Sequence, residues 1–409
     1  LPLMLSGILQ LMFNAVDIVV VGRFSGSQSL AAVGATTALI YLFTNLFIGI
    51  SLGANVLAAR YYAAGKHQEM SETVHTAMMF AVISGIIMIF VGLFFSRLAL
   101  EIMGTPSDVI DQATLYMRIY FLGMPFFMLY NYGAAILRAV GDTKRPLIFL
   151  IISGVVNACL NMLLVIVFHL DVAGVAIATV TSQFISCVLV IGCLYRTKSS
   201  YQLRFSRLKI RKEYLKPICQ VGIPAGIQST VINFSNALLQ SSVNSFGSTT
   251  MAGYTAANNI FGFLYVSVNA ITQACMSFTS QNYGLRKLKR MDKILIDCLI
   301  LTVIVSLVLG GGVYLFGAEI LRLYTEEAEV IRCGIEIFAY TTVTYFLCGI
   351  MDLFPGALRG MDRSTVPMIL SVIGTVGTRI VWVFWLFPAH RSLAFLFISY
   401  PASWLITIA

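Results

Sequence analysis

The run MFNAVDIVVVGRF, residues 12 to 24, contains Asp17, and from Leu1 to Gly22 there is no other charged side chain. Ser6, Gln10, Asn14 and Asp17 follow at intervals of 4, 4 and 3, so one face of a helix would carry all four. Ser153, Asn157 and Asn161 form a second polar stripe at i, i+4 and i+8, and Thr179, Ser182 and Ser186 a third. A carboxylate set among amide and hydroxyl oxygens can bind a monovalent cation or take up a proton.

Other chemistries find little support. No paired carboxylates, no His/Asp/Glu metal set and no nucleophile with a neighbouring base occur inside the apolar runs. DDxxD, HExxH and P-loop patterns are absent, which argues against an enzyme and against an ATP-driven pump. The eight cysteines lie singly, mostly within apolar runs, and read as small core residues. No resident cofactor is expected.

The surrounding chain sets the frame for these residues. Of 409 residues, 58% are hydrophobic and 11% charged, against about a quarter charged in soluble proteins. Apolar runs recur, each near the ~20 residues that cross a bilayer as a helix, and none alternates as a barrel strand would. The reading is an all-α polytopic membrane protein with twelve transmembrane helices. They are placed at 2–22, 30–59, 75–96, 112–137, 146–168 and 173–195, then 217–244, 251–281, 294–316, 333–357, 367–388 and from 393 onward. Leu1 and Ala409 lie in hydrophobic runs, so both ends look clipped.

A shift of 221 residues superposes the two sets. It carries Arg138 and Pro146 of RAVGDTKRP onto Arg359 and Pro367 of RGMDRSTVP, and LAAVGATTALI onto MAGYTAANNIF. Pro2 meets Pro224 at a shift of 222. The expected organisation is a six-helix bundle over 1–195, a basic linker over 196–216 and a second bundle over 217–409. An even number of spans per copy makes this a parallel repeat. Most of the 27 Lys and Arg residues fall in loops after even-numbered spans, while the opposite loops hold Arg23, Arg97, Arg322, Arg332, Arg391 and acidic stretches such as YTEEAEV. The even loops, and with them the N-terminus, are expected to be cytoplasmic. The net charge of +9 is therefore a topology signal, and nucleic-acid binding is not expected.

Depth groups some of the polar residues. Asp17 and Asn161 each lie 15 residues past the proline that opens their helix, about 22 Å along the axis. Thr179 enters from the other side and sits about 9 Å in, so on a ~30 Å core all three share one level. An aspartate near the bilayer centre costs about 2.5–3.5 kcal/mol on insertion scales, so Asp17 must face protein or a wet cavity. Polar stripes can also serve as hydrogen-bonded glue between helices. The repeat weighs against glue here. The partners of Asn157, Asn161 and Thr179 are Thr378, Trp382 and Tyr400, and Asp17 falls on Leu238 or Leu239. A fold that needed the cluster would keep it in both copies.

Taken together, VD in the first span, NACLN in the fifth, GVAIATVTSQ in the sixth, LRAVGDTKRP with its repeat LRGMDRSTVP, and SQNYG before a basic loop resemble the multidrug and toxic compound extrusion (MATE) transporters. The resemblance spans essentially the whole chain. It implies a V-shaped pair of bundles that exports amphipathic, often cationic compounds in exchange for inward Na⁺ or H⁺. It also implies a cation or proton site on Asp17, Asn157, Asn161 and Thr179, with Asn14 and Asp352 as accessory candidates. Some members carry acids in the seventh and tenth spans. Here the seventh offers Gln228, Asn233, Asn236 and Gln240, and the tenth has Cys348 with Asp352 a turn further on, which puts a second-bundle cation site in doubt. Asp352 and Arg379 are expected to pair. The 17 Met and the many aromatic residues suit a plastic apolar cavity, although most must be core or lipid-facing.

The expected setting is a bacterial cytoplasmic membrane, with small amphipathic or cationic substrates and the bilayer as partners, and a monomer. A lipid-linked oligosaccharide flippase of the same superfamily is the nearest rival; it calls for a cationic central cavity, and cavity-facing Arg is scarce. A non-transporting membrane protein or enzyme is the rival of another class, and it predicts no ion dependence.

Overall fold

In the computed structural model the chain is helical, with no strand among the described residues, which are 1–323 and 325–409, side chains at 26, 27, 30, 38 and 248 excepted. The helices are α1 (Pro2–Phe24), α2 (Gly26–Ala63), α3 (His67–Ile102), α4 (Ile110–Leu122), α5 (Met124–Ala139), α6 (Lys144–Asn161) and α7 (Asp171–Arg196). After them come α8 (Lys212–Asn244), α9 (Ser248–Gly284), α10 (Leu288–Arg322), α11 (Ala328–Thr341), α12 (Tyr345–Gly360), α13 (Thr365–Ser371), α14 (Thr378–Val381) and α15 (Leu393–Ile408). Short π-helical segments, Met162–Val167, Val372–Gly377 and Trp382–Leu386, continue α6, α13 and α14. The chain divides into two compact units, Leu1–Gly226 and Ile227–Ala409.

Among the described residues eight helices are long and apolar enough to cross a membrane, and two bent pairs bring the number to ten. The remaining two sequence-predicted spans are present as α8 and α15. α15 is a 16-residue apolar helix. α8 carries Gln228, Asn233, Asn236 and Gln240, whose amides dilute its hydropathy. Several helices outrun their predicted bounds, α3 by eight residues at its start, because polar turns such as HQEMSET extend the helix past the apolar stretch.

The fourth and tenth predicted spans are each broken. α4 and α5 meet at 48° across Gly123, where Pro125 removes a backbone donor, and α11 and α12 meet at 53°. No proline explains the second bend. Instead Thr341, Thr342 and Thr344 return their hydroxyls to the carbonyls of Ile337, Phe338 and Tyr340 at 2.7, 2.7 and 2.9 Å, a local competition that bends helices. The two breaks, at Gly123 and Thr344, are 221 residues apart.

The repeat is also written in the backbone. Gly65 and Gly141 end α2 and α5 in the left-handed region at φ 69° and 88°. Their partners 221 residues on, Arg286 and Asp362, hold the same conformation at φ 55° and 65° although neither is glycine. The turn geometry is common to both copies even where the sequence no longer favours it.

In the first unit Met70, Met78, Met117, Met124, Phe121 and Tyr132 are fully buried, so much of the methionine content fills core rather than lining a cavity. Around that core α1 packs against α2, α6, α7 and the π segment after α6. Residues 197–211 are strapped onto the start of α3. Leu203 is buried, Arg211 pairs with Glu72 at 2.7 Å, and the Arg204 N–H donates to Nε2 of His75 at 3.0 Å. The other ring nitrogen, Nδ1, then carries the proton and donates to the Ser71 carbonyl at 2.6 Å. His75→Leu leaves the Arg204 N–H without its acceptor, a loss of about 1–3 kcal/mol. Limited trypsin digestion should then cut at Arg204, Arg207 and Lys209 several times faster than in the native protein.

Candidate functional site

Asp17 of α1 is buried, 9% exposed, as is Ser6 of the same stripe, while Gln10 and Asn14 are exposed. Asn161, fully buried at the end of α6, donates from Nδ2 to Asp17 Oδ1 and, at 3.2 Å, to Asn157 Oδ1. The Thr179 hydroxyl on α7 is 3.4 Å from Asp17 Oδ2, 3.0 Å from its own helix's Val175 carbonyl, and 3.5 Å from Asn157 Nδ2. The structure thus gathers Asp17, Asn157, Asn161 and Thr179 into a single cluster contributed by three helices.

The cluster is short of hydrogen-bond donors. One hydroxyl proton cannot serve both Asp17 and Val175. When it goes to Val175, the closer acceptor, Thr179 and Asp17 present lone pairs to each other. Asn161 Oδ1 is buried and finds no donor among the described residues. A carboxylate, the Asn157 amide oxygen and a hydroxyl therefore converge, with the unpartnered Asn161 oxygen on the same side chain that bonds Asp17. Acceptor capacity exceeds donor capacity, an imbalance that a cation or an added proton relieves. No His/Cys/Asp/Glu group suited to a transition metal occurs among the described residues.

Among the described residues neither accessory candidate is hydrogen-bonded to this cluster. Asn14 is exposed and sits beside Tyr41 of α2. Asp352 is half-buried on α12, where the nearby cation is Arg359 of the same helix and Tyr265 of α9 is a further neighbour. The expected Asp352–Arg379 pair does not form. Arg379 is instead held by Asn236 and Ser403, at 2.7 and 3.3 Å, because its side chain points toward α8 and α15 rather than α12.

Several site neighbours were not anticipated from sequence. Tyr116 and Tyr120 of α4 stack at 6.0 Å in the neighbourhood of Asp17, and Gln183 of α7 lies beside Tyr120. Their signal was present: Tyr116 and Tyr120 share a helix face, and Gln183 continues the Thr179 stripe by one turn.

The MatE family model matches residues 2–163 and again 224–385, one segment per repeat. The chain belongs to the MatE family. This MATE chain is accordingly an integral membrane protein of a multidrug-efflux transporter family and not an enzyme. Among curated proteins it is similar to the probable multidrug resistance protein YoeA of Bacillus subtilis, 28% identical, with all of this chain and 90% of the relative covered. It is also similar to the multidrug export protein MepA of Staphylococcus aureus, 22% identical, with 91% and 82% covered. Among solved structures, an outward-facing MATE multidrug resistance transporter superposes with a TM-score of 0.92 at 20% identity, covering 100% of this chain and 91% of the other. At that identity the likeness speaks for the fold.

Proposed function

We propose that this protein is a secondary antiporter that exports amphipathic, cationic compounds in exchange for Na⁺ or H⁺ taken up at Asp17, Asn157, Asn161 and Thr179. The observation that carries this reading is the donor deficit around Asp17, above all the unpartnered Asn161 Oδ1. The names of the relatives, a multidrug resistance protein and a multidrug export protein, agree with export of drug-like molecules.

The mechanism needs a single competition. Asp17 cannot hold its proton and favour a bound cation at once, so each coupling ion excludes the other form. For Na⁺, the Asp17 carboxylate, Asn157 Oδ1 and the Thr179 hydroxyl would serve as ligands, and rotation of the Asn161 amide would bring in its free oxygen. Ion entry would rearrange the contacts of α1 with α6 and α7 and lower affinity for bound drug; drug loading from the other side would reset them. Coupling then rests on the difference in affinity between two facing states. The proposed organisation is two parallel bundles, 1–195 and 217–409, joined by the basic linker 196–216. The charge bias of the loops puts the N-terminus on the cytoplasmic side, and a bacterial cytoplasmic membrane and a monomer fit this reading. No cofactor beyond the coupling ion is invoked, and Asn14 and Asp352 are assigned no ligand role.

The test is export of an ethidium-like dye from proteoliposomes under an imposed Na⁺ gradient, compared with an imposed pH gradient. Export driven by either supports antiport and identifies the ion; export indifferent to both would exclude it. Asn161→Asp places a second carboxylate at the site and should lower the half-saturating Na⁺ concentration by about tenfold. An unchanged Na⁺ dependence would remove Asn161 from the ligand set.

A further inference from the structure

The second unit buries a charge that the proposed ion exchange leaves unused. Arg379 lies 12 residues past Pro367, about 18 Å along its helix and near the middle of a ~30 Å core, with 2% of its surface exposed. A guanidinium stays ionised in a protein. Its Nη1 donates to Asn236 Oδ1 at 2.7 Å, its Nε to Ser403 Oγ at 3.3 Å, and the Tyr400 ring centre is 4.5 Å from Cζ. Every one of these partners is neutral. Among the described residues no carboxylate pairs with Arg379. A cation held at mid-membrane without a counter-charge is costly, and such residues mark sites of function more often than of packing.

Its position in the repeat gives the second, independent argument. Arg379 adjoins Thr378, the partner of Asn157 under the 221-residue shift, while Tyr400 and Ser403 are the partners of Thr179 and Ser182. Asn236 lies on the helix equivalent to α1. The helices that build the Asp17 cluster in the first unit therefore have counterparts that build this one, with the sign of the charge reversed. π-helical turns adjoin both places, Met162–Val167 directly after Asn161 and Val372–Gly377 with Trp382–Leu386 on either side of Arg379. Such turns are rare and concentrate where a helix re-aims side chains for function.

We propose that Arg379, with Asn236 and Ser403, is an anion-recognising site that takes the carboxylate of an amphipathic substrate. Its depth is below the headgroup level, so the anion arrives on a small molecule that enters the bundle. The substrate range then extends from cations to zwitterions and anions, and this inference does not rest on the Asp17 reading.

Equilibrium binding in lipid nanodiscs, with no ion gradient, tests it separately from antiport. The probes are rhodamine 110, a free carboxylic acid, and rhodamine 123, its methyl ester, read by fluorescence polarisation. Arg379→Gln should weaken the acid by about ten- to a hundredfold and leave the ester within about twofold. Arg379→Lys should keep part of the acid's affinity. Asn236→Asp installs an internal carboxylate beside the guanidinium and should abolish the acid's affinity with the fold intact, which decides the matter if Arg379→Gln does not fold. Equal losses for acid and ester, or no loss for either, would overturn the proposal.

Discussion

Replacing Asp17 by Asn is expected to abolish cation-driven dye export and to leave the protein folded in the membrane. The substitution is nearly isosteric, and the new amide oxygen can still accept from Asn161 Nδ2, the bond that now ties α1 to α6. What changes is charge and donor count. The cluster loses its carboxylate, and the new NH₂ supplies the donor that the site lacks, so nothing remains for an entering ion to neutralise. Coupling free energies of about 1–3 kcal/mol correspond to about 5–150-fold in affinity, so their loss should bring gradient-driven export down to that of empty liposomes. Removing a buried charge also removes its desolvation cost. The melting temperature in detergent should therefore equal or exceed the native value. Retained gradient-driven export in a well-folded Asp17→Asn protein would sink the assignment.

Why so much of this site was legible follows from where its signals lie. Asp17, Asn157 and Asn161 announce themselves because polar groups are scarce in apolar helices, and proline-counted depth placed Asp17, Asn161 and Thr179 at one level. The hydrogen-bond assignment was not legible. Whether the oxygen or the NH₂ of the Asn161 amide faces Asp17 depends on side-chain rotation within a packed cluster, which spacing does not encode. Arg379 shows a different limit. Its spacing from Asp352 does not reveal which way the side chain points, and packing turned it toward Asn236 and Ser403. In the fold, the repeat was readable through Arg138/Arg359 and Pro146/Pro367. The bend between α11 and α12 was not, because threonines rather than a proline produce it. The strap on His75 escaped for a similar reason, since its acceptor serves a backbone N–H 129 residues away in sequence.

Gly222→Val is expected to cost the first unit its folded state. Gly49 and Gly53 on α2 and Gly222 and Gly226 on α8 are two small-xxx-small pairs, visible in GISLG and GIPAG, and within Leu1–Gly226 they bring backbone against backbone. A β-carbon on Gly222 would overlap the Ile50 Cα and stand 2.9 Å from the Gly49 carbonyl oxygen and 3.0 Å from the Ile50 nitrogen. All three atoms belong to a helical backbone and cannot swing aside as a side-chain end would, so relief requires the helices to separate. In a bilayer there is no apolar-surface gain to offset that separation, because lipid tails are as apolar as the residues left facing them. Overpacking by even one methyl group costs about 1–3 kcal/mol, and valine adds two more carbons against the same backbone. Monodisperse yield on size exclusion should collapse for Gly222→Val. Gly192→Ala is the matching control: nothing lies within 4 Å of an added β-carbon on that face of α7, and alanine favours the helix by about 0.5–1 kcal/mol. Native yield and melting temperature in Gly222→Val would show that α2 and the start of α8 are held apart by more than their glycines, and the close crossing would lose its role in the fold.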